Sequence, residues 1–351
     1  MAHQGAYPRR NQNLLLTSQK ARRGEQRLPT IRDLSEYTGL AFGTVSKYLN
    51  GGNVRPENRA MLDEAVSKLH YRMNFAARTL KRQCSNTIGV VVPAASLAGM
   101  GGTLTALDRT LFLNGYSMLL CAYADDAPER EKIKLLSGNT DGIVVLPSKI
   151  SAEELTLLCE GMPVVALDCV FPGTAIDSVL TDYLGAAYQA VEYFFSHQHR
   201  RIGAIWGGQN AYAVSELKTG FIRAFKDYQQ TPCESLLLEG ECNFAAGYEL
   251  FLRLYEETDR PTAILVSDAM MSMGAETAAR DKGLRLMQDV DIVGFGDQGM
   301  YRIPGRQTPI LEISGETVGT TAAELILERL NGGAEAKASV RRIKAELRHV
   351  D

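Results

Sequence analysis

From Thr87 onward, short apolar runs alternate with longer amphipathic stretches, a pattern that few folds can accommodate. Runs at 88–92, 117–120, 142–146, 164–167, 202–206, 263–266 and 291–293 have the length and apolar density of strands buried on both faces. The stretches at 104–113, 129–136, 152–159, 186–195, 216–228, 245–255 and 270–282 carry apolar residues at helical spacing. Alternating β and α predicts parallel, doubly wound sheets covered by helices. The strands fall into two sets separated near residues 183–185, which predicts two similar lobes. Ligands in such folds bind beyond the carboxyl ends of the strands, here in the cleft between the lobes.

The first quarter of the chain reads differently. Residues 1–29 are polar and basic, without sustained periodicity, and are expected to form a basic extension with no packed core. Residues 30–72 predict three short helices. Thr30 can cap the first, with Ile31, Leu34 and Tyr37 on one face, and Gly39 offers the left-handed turn that ends it. Val45, Tyr48 and Leu49 give the second an apolar face. Pro56 opens the third, whose stripe is Met61, Leu62, Ala65, Val66 and Leu69. Residues 73–85 follow as a linker with room for one short, marginal helix, and residues 86–351 make the two-lobed core.

Charge follows the same division. Residues 1–85 hold 15 Lys and Arg against 6 Asp and Glu, whereas residues 86–351 hold 23 against 35. A basic module on an acidic body points to a polyanion partner for the first part only.

Several classes are disfavoured. No window is long and apolar enough for a membrane helix, and Leu14 to Leu16 is too short for a signal-peptide core, so a cytoplasmic protein with no membrane partner is expected. Six scattered cysteines without CxxC read as reduced thiols. His197 and His199 read as a polar helix end rather than a metal site. The spacing of Gly99 and Gly101 fails the GxGxxG pattern at Leu104, and neither a Walker lysine motif nor GxSxG is present. No enzyme activity and no cofactor is expected.

A helix-turn-helix needs a small residue in its first helix, a glycine in the turn and an apolar residue in the second helix; Ser35, Gly39 and Val45 fit. The run TIRDLSEYTGLAFGTVSKYLNG at 30–51 resembles the signature of the LacI/GalR (lac repressor) family. So do LHYRMNFAARTL at 69–80, NTIGVVVP at 86–93, DGIVVLP at 141–147, HRRIG at 199–203 and VGFGD at 293–297. The resemblance covers nearly everything from residue 30 onward. It implies an all-α helix-turn-helix headpiece joined to a periplasmic-binding-protein-like α/β core.

The resemblance also implies roles. The second helix enters the major groove, with Phe42, Gly43, Ser46 and Lys47 outward. Lys47 can donate to guanine and Phe42 can touch a thymine methyl, while Thr44 and Asn50 fit phosphate contacts and Thr30 is counted with the DNA-binding residues. Gly43 stands where the family usually has a side chain able to reach a base. Residues 74–82 match the family's hinge helix, which folds when the dimer binds DNA. Asn74 opens that match, Ala77 allows close approach of two such helices, and Leu80 falls where a wedge enters the minor groove. Met73 replaces the usual proline.

In the cleft the sequence departs from the family. Leu217 replaces the usual Arg, Ser267 and Asp268 replace an Asn-Asp pair, Gly296 and Asp297 replace a double Asp, and Asp168 is followed by Cys169 instead of Arg. A sugar site depends on converging charged and amide groups, so this cleft is expected to be less polar. The effector is then a small molecule of another class, or control comes from a protein co-regulator; the competing reading is that Asp168, Asp268, Asp297 and the backbone rebuild a sugar site from other positions.

The expected function is that of a sequence-specific transcriptional regulator on a near-palindromic double-stranded DNA operator. It would act as a homodimer, with a tetramer open and repression as the family default. The alternative is a periplasmic-type binding protein without DNA function. It explains the lobes, but it predicts a signal peptide and no basic headpiece.

Overall fold

The computed structural model describes residues 29–49, 51–71, 84–124, 128–147, 149–208, 211–296, 308–333 and 337–348. The expectations for residues 1–28 and for Asn50, Asn74, Ala77, Leu80 and Asp297 therefore lie outside the described residues. The chain divides into two compact units, meeting in sequence between Gln83 and Cys84.

The first unit holds α1 (Ile31–Thr38), α2 (Phe42–Leu49) and α3 (Pro56–Lys68). Thr30 and Asp33 form a reciprocal capping box at the start of α1, and Gly39 at φ 66° closes it. The Ser35 hydroxyl donates to the Leu40 carbonyl at 2.7 Å, which ties the turn to the helix. Leu34, Val45, Leu62 and Ala65 are fully buried where the three helices meet. Tyr37 and Met61 depart from the expected faces, being 50% and 42% exposed. Two eight-residue helices cover only a narrow stripe of the third, so residues at the margin of each stripe stay in solvent.

The second unit contains two sheets. In chain order its elements begin with β1 (Thr87–Pro93), α4 (Gly101–Leu113), β2 (Ser117–Tyr123), α5 (Glu129–Ser137) and β3 (Gly142–Val145). They continue with α6 (Ala152–Leu158), β4 (Val164–Leu167), β5 (Asp177–Thr181), α7 (Tyr183–Ser196), β6 (Ile202–Gly207) and α8 (Ala211–Asp227). Then come β7 (Leu237–Gly240), α9 (Phe244–Glu256), β8 (Ala263–Val266), α10 (Ala269–Asp281) and β9 (Asp291–Gly296). The chain closes with β10 (Ile310–Ile313), α11 (Gly315–Glu328), β11 (Val340–Ile343) and β12 (Ala345–Arg348).

One sheet runs β11-β5-β4-β3-β1-β2 and the other β12-β10-β9-β8-β6-β7, so the lobes share one strand order. The pairings are parallel except β10 with β12. The central strands are buried along their length, as parallel strands sandwiched between helices must be.

The lobes are not two consecutive halves, and here the expectation is corrected. The chain crosses after β5, as expected near residue 183, but crosses back after β10 and again after β11. Residues 315–333 and 337–343 complete the first lobe: α11 packs its Ala322, Ala323, Leu325 and Ile326 into that lobe's core, and β11 pairs with β5. The segment is pinned by a buried ion pair, in which the Arg329 guanidinium donates to both Asp177 oxygens at 2.7 Å. The Ser339 amide donates to the same carboxylate at 2.7 Å.

Candidate functional site

The headpiece presents one face of α2. Val45 fills the core, and Tyr48 and Leu49 pack against it, so the opposite face must point outward. Phe42 is 51% exposed, and Gly43 and Lys47 are also exposed, with Thr44 and Ser46 half-buried beside them. Phe42 is thus as exposed as Tyr37, but it lies on the outward face of α2. A side chain at Gly43 would meet nothing within 4 Å, so packing does not require glycine there. Gly52 donates its amide to the Lys47 carbonyl at 2.8 Å. A Cβ at Gly52 would lie 2.6 Å from Lys47 Cγ, so this glycine leaves room for the lysine stem. The Thr30 hydroxyl is engaged in the capping box at the start of α1.

The cleft of the second unit brings together five of the six residues singled out for it. Asp168, Leu217, Ser267, Asp268 and Gly296 line one cavity of about 260 Å³. Each arrives there because it ends a strand or faces one. Asp168 follows β4 in a left-handed conformation, φ 47°, which is strained for a residue with a Cβ. Its Oδ1 accepts from the Thr181 amide and its Oδ2 from the Tyr183 hydroxyl, both at 2.8 Å. Burial pushes the Asp168 carboxyl above the usual carboxylate range, and the donors from Thr181 and Tyr183 oppose that shift. Burial, with Asp168 beside it, raises the Tyr183 phenol far above its ordinary value.

Across the cleft, Ser267 accepts from the Gly207 amide at 2.7 Å. Asp268 caps α10, its Oδ1 taking the Met270 and Met271 amides at 2.9 and 3.0 Å. Leu217 is 1% exposed and belongs to the core cluster with Trp206 and Phe221. The position expected to be polar in the family is thus an apolar wall. Gly220, one turn beyond it, sits where a Cβ would lie 2.1 Å from the Leu184 carbonyl, so α7 and α8 touch backbone to backbone.

Sequence reasoning missed Tyr183, Phe295, Met100 and Thr103, which also line the cavity. Asp182 preceding Tyr183 is a recognisable helix cap, and that signal places Tyr183 at a helix start facing the cleft. His199 bridges Thr262 at 2.9 Å and Asp291 at 3.0 Å, a polar tie within the second lobe. Among the described residues no cluster of His, Cys, Asp and Glu could hold a metal ion. No described helix is long and apolar enough to cross a membrane.

Taken together, these features define a two-lobed receptor of the periplasmic-binding-protein type carried in one chain with a helix-turn-helix unit. Residues 85–348 match the family described as periplasmic binding proteins and sugar binding domain of LacI family. The chain belongs to this family, and it is a DNA-binding transcriptional regulator of the LacI/GalR type.

Relatives include the HTH-type transcriptional repressor PurR of Pectobacterium carotovorum subsp. carotovorum, 26% identical over 314 residues, covering 88% of this chain and 92% of that protein. The protein of the same name from Haemophilus influenzae is 27% identical over 322 residues, covering 90% and 95%. In fold, the chain is similar to the Lac repressor bound to ONPG in the repressed state. The TM-score is 0.79 at 22% identity, over 92% of this chain and 99% of that one.

Proposed function

We propose that the protein represses transcription from a near-palindromic operator, as a cytoplasmic homodimer whose DNA affinity is set by a ligand in an unusually apolar cleft. The observation that carries this reading is the outward face of α2, where Phe42 and Lys47 are exposed on the side opposite Val45, which is buried in the three-helix core. In this reading Lys47 and Phe42 read base edges, while Thr44, Asn50 and the α1 start at Thr30 hold phosphates. Ser46 lines the same face, and Gly43 leaves one outward position without a reader. Asn74, Ala77 and Leu80 form the hinge helix that opens a minor-groove step. Its test is Leu80→Ala, which is expected to reduce DNA bending while the core stays folded; an unchanged bend would remove Leu80 from the mechanism.

A dimer is required because one headpiece offers too few base contacts for specific affinity. Strand β2 is the open edge of its sheet and carries Leu119 and Leu120 at 43% and 39% exposure. At the end of the adjacent α4, Phe112 and Leu113 are 73% and 77% exposed. An apolar strand edge of this kind is a liability unless covered, and a second copy of the chain covers it symmetrically. Selection of operator sequences from random duplexes tests the reading as a whole.

The cleft residues Asp168, Leu217, Ser267, Asp268, Gly296 and Asp297 are assigned to the effector. A titration with mono- and disaccharides is expected to give no micromolar binding. A micromolar sugar that also changes operator affinity would refute the apolar-cleft reading.

A further inference from the structure

Resting on the reading of the cleft as the effector site, we infer that its ligand is a small organic cation: an amine on an apolar, preferably aromatic, skeleton. Three observations converge on this class. The first is charge. Asp168 enters the cavity from the first lobe and Asp268 from the second, and the described lining residues include no Lys, Arg or His. Among the described lining residues an anion would meet two carboxylates and no cationic side chain, which disfavours its desolvation there.

The second observation is how those carboxylates are held. Asp168 is satisfied by an amide and a phenol, both neutral donors, in a backbone conformation that only its surroundings maintain. Its carboxyl is pushed upward by burial, the state that a neighbouring ammonium relieves. Asp268 turns Oδ1 to the α10 amides and lines the same cavity. An ammonium carries three donors and no acceptor, matching a site whose charged groups only accept.

The third is the remaining wall. Tyr183 and Phe295 stand with ring centroids 6.1 Å apart, tilted by 49°. Met100, Leu217 and Val318 extend an apolar, polarisable surface. Ring faces attract cations, and the apolar wall takes the body of the ligand. A free sugar, with a hydroxyl on nearly every carbon, would find no partners along the wall formed by Met100, Leu217, Phe295 and Val318.

The test is calorimetric titration of the full-length protein with four probes: phenethylamine, 2-phenylethanol, 3-phenylpropionate and glucose. The inference expects saturable binding of phenethylamine, about tenfold tighter than 2-phenylethanol, and no saturation by the anion or the sugar. The variant Asp268→Asn keeps a good helix cap and is expected to lower the amine-over-alcohol preference at least ~3-fold. Equal binding of amine and alcohol would overturn the cation and leave the apolar cleft standing. Tighter binding of glucose would overturn both. Absence of phenethylamine binding, or a preference unchanged in the Asp268 variant, also overturns the inference.

Discussion

Asp168, at the end of β4 in the first lobe, accepts a hydrogen bond from the Tyr183 phenol at 2.8 Å, and Tyr183 begins the helix that packs into the second lobe. The bond therefore joins the lobes at the floor of the cleft. Tyr183→Phe removes the donor and leaves a buried carboxylate oxygen short of a partner, a loss of about 1–3 kcal/mol in urea unfolding.

The same carboxyl gives the core a pH dependence. Its folded-state pKa lies above the ordinary 3.8, so the folded state keeps a proton that the unfolded chain has already lost. This contribution is fully present below 3.8 and fades as pH rises through the folded value. Unfolding of wild type and Asp168→Asn in parallel should show wild type losing ground across that window. A difference independent of pH would contradict the assignment.

The ion pair between Asp177 and Arg329 holds the returning segment to the first lobe, with 1% and 8% exposure. Arg329→Met strands a buried carboxylate and is expected to cost about 3–5 kcal/mol by denaturant unfolding. Adding Asp177→Asn removes the uncompensated charge and should recover part of that loss. No recovery would mean that the arginine acts by packing alone.

That returning segment also marks the limit of what could be read from the chain. The strands at 88–92, 142–146 and 263–266 were legible because a sheet covered on both faces needs unbroken apolar runs. β11 was not: its sequence is VRRI, and an edge strand exposes every second residue. α11 was hidden by Gly315 and Gly319, which weaken a helical pattern. A Cβ at Gly319 would lie 2.1 Å from the Thr103 carbonyl, so the glycine serves a close helix contact. In the cleft, Ser267, Asp268 and Gly296 were legible through the family resemblance, which implies effector contacts at these positions. Tyr183 and Phe295 were not, since an aromatic in a cleft wall and one in a core look alike in sequence.

The open edge of β2 supplies a direct test of assembly. Leu113→Glu combined with Leu119→Glu alters two side chains that are 77% and 43% exposed, so the fold should persist. Sedimentation is expected to show a monomer for the variant and a dimer for wild type. A dimeric variant would move the interface elsewhere.

Readout by α2 separates into two kinds of contact. Lys47→Ala should relax specificity at one base position by roughly 1–3 kcal/mol. A uniform loss over all sequences would assign Lys47 to phosphate instead. Gly43→Ala, placed in open space, should leave the headpiece folded and stabilise it by about 0.5 kcal/mol, because glycine is costly in a helix.

The central claim is a dimeric regulator reading two half-sites, and selection of duplexes from a random pool by the full-length protein tests it most directly. The expected product is an inverted repeat whose half-sites lie about one helical turn apart, or a multiple of it, centre to centre. Enrichment of a single unrepeated half-site, or of no sequence at all, would contradict it.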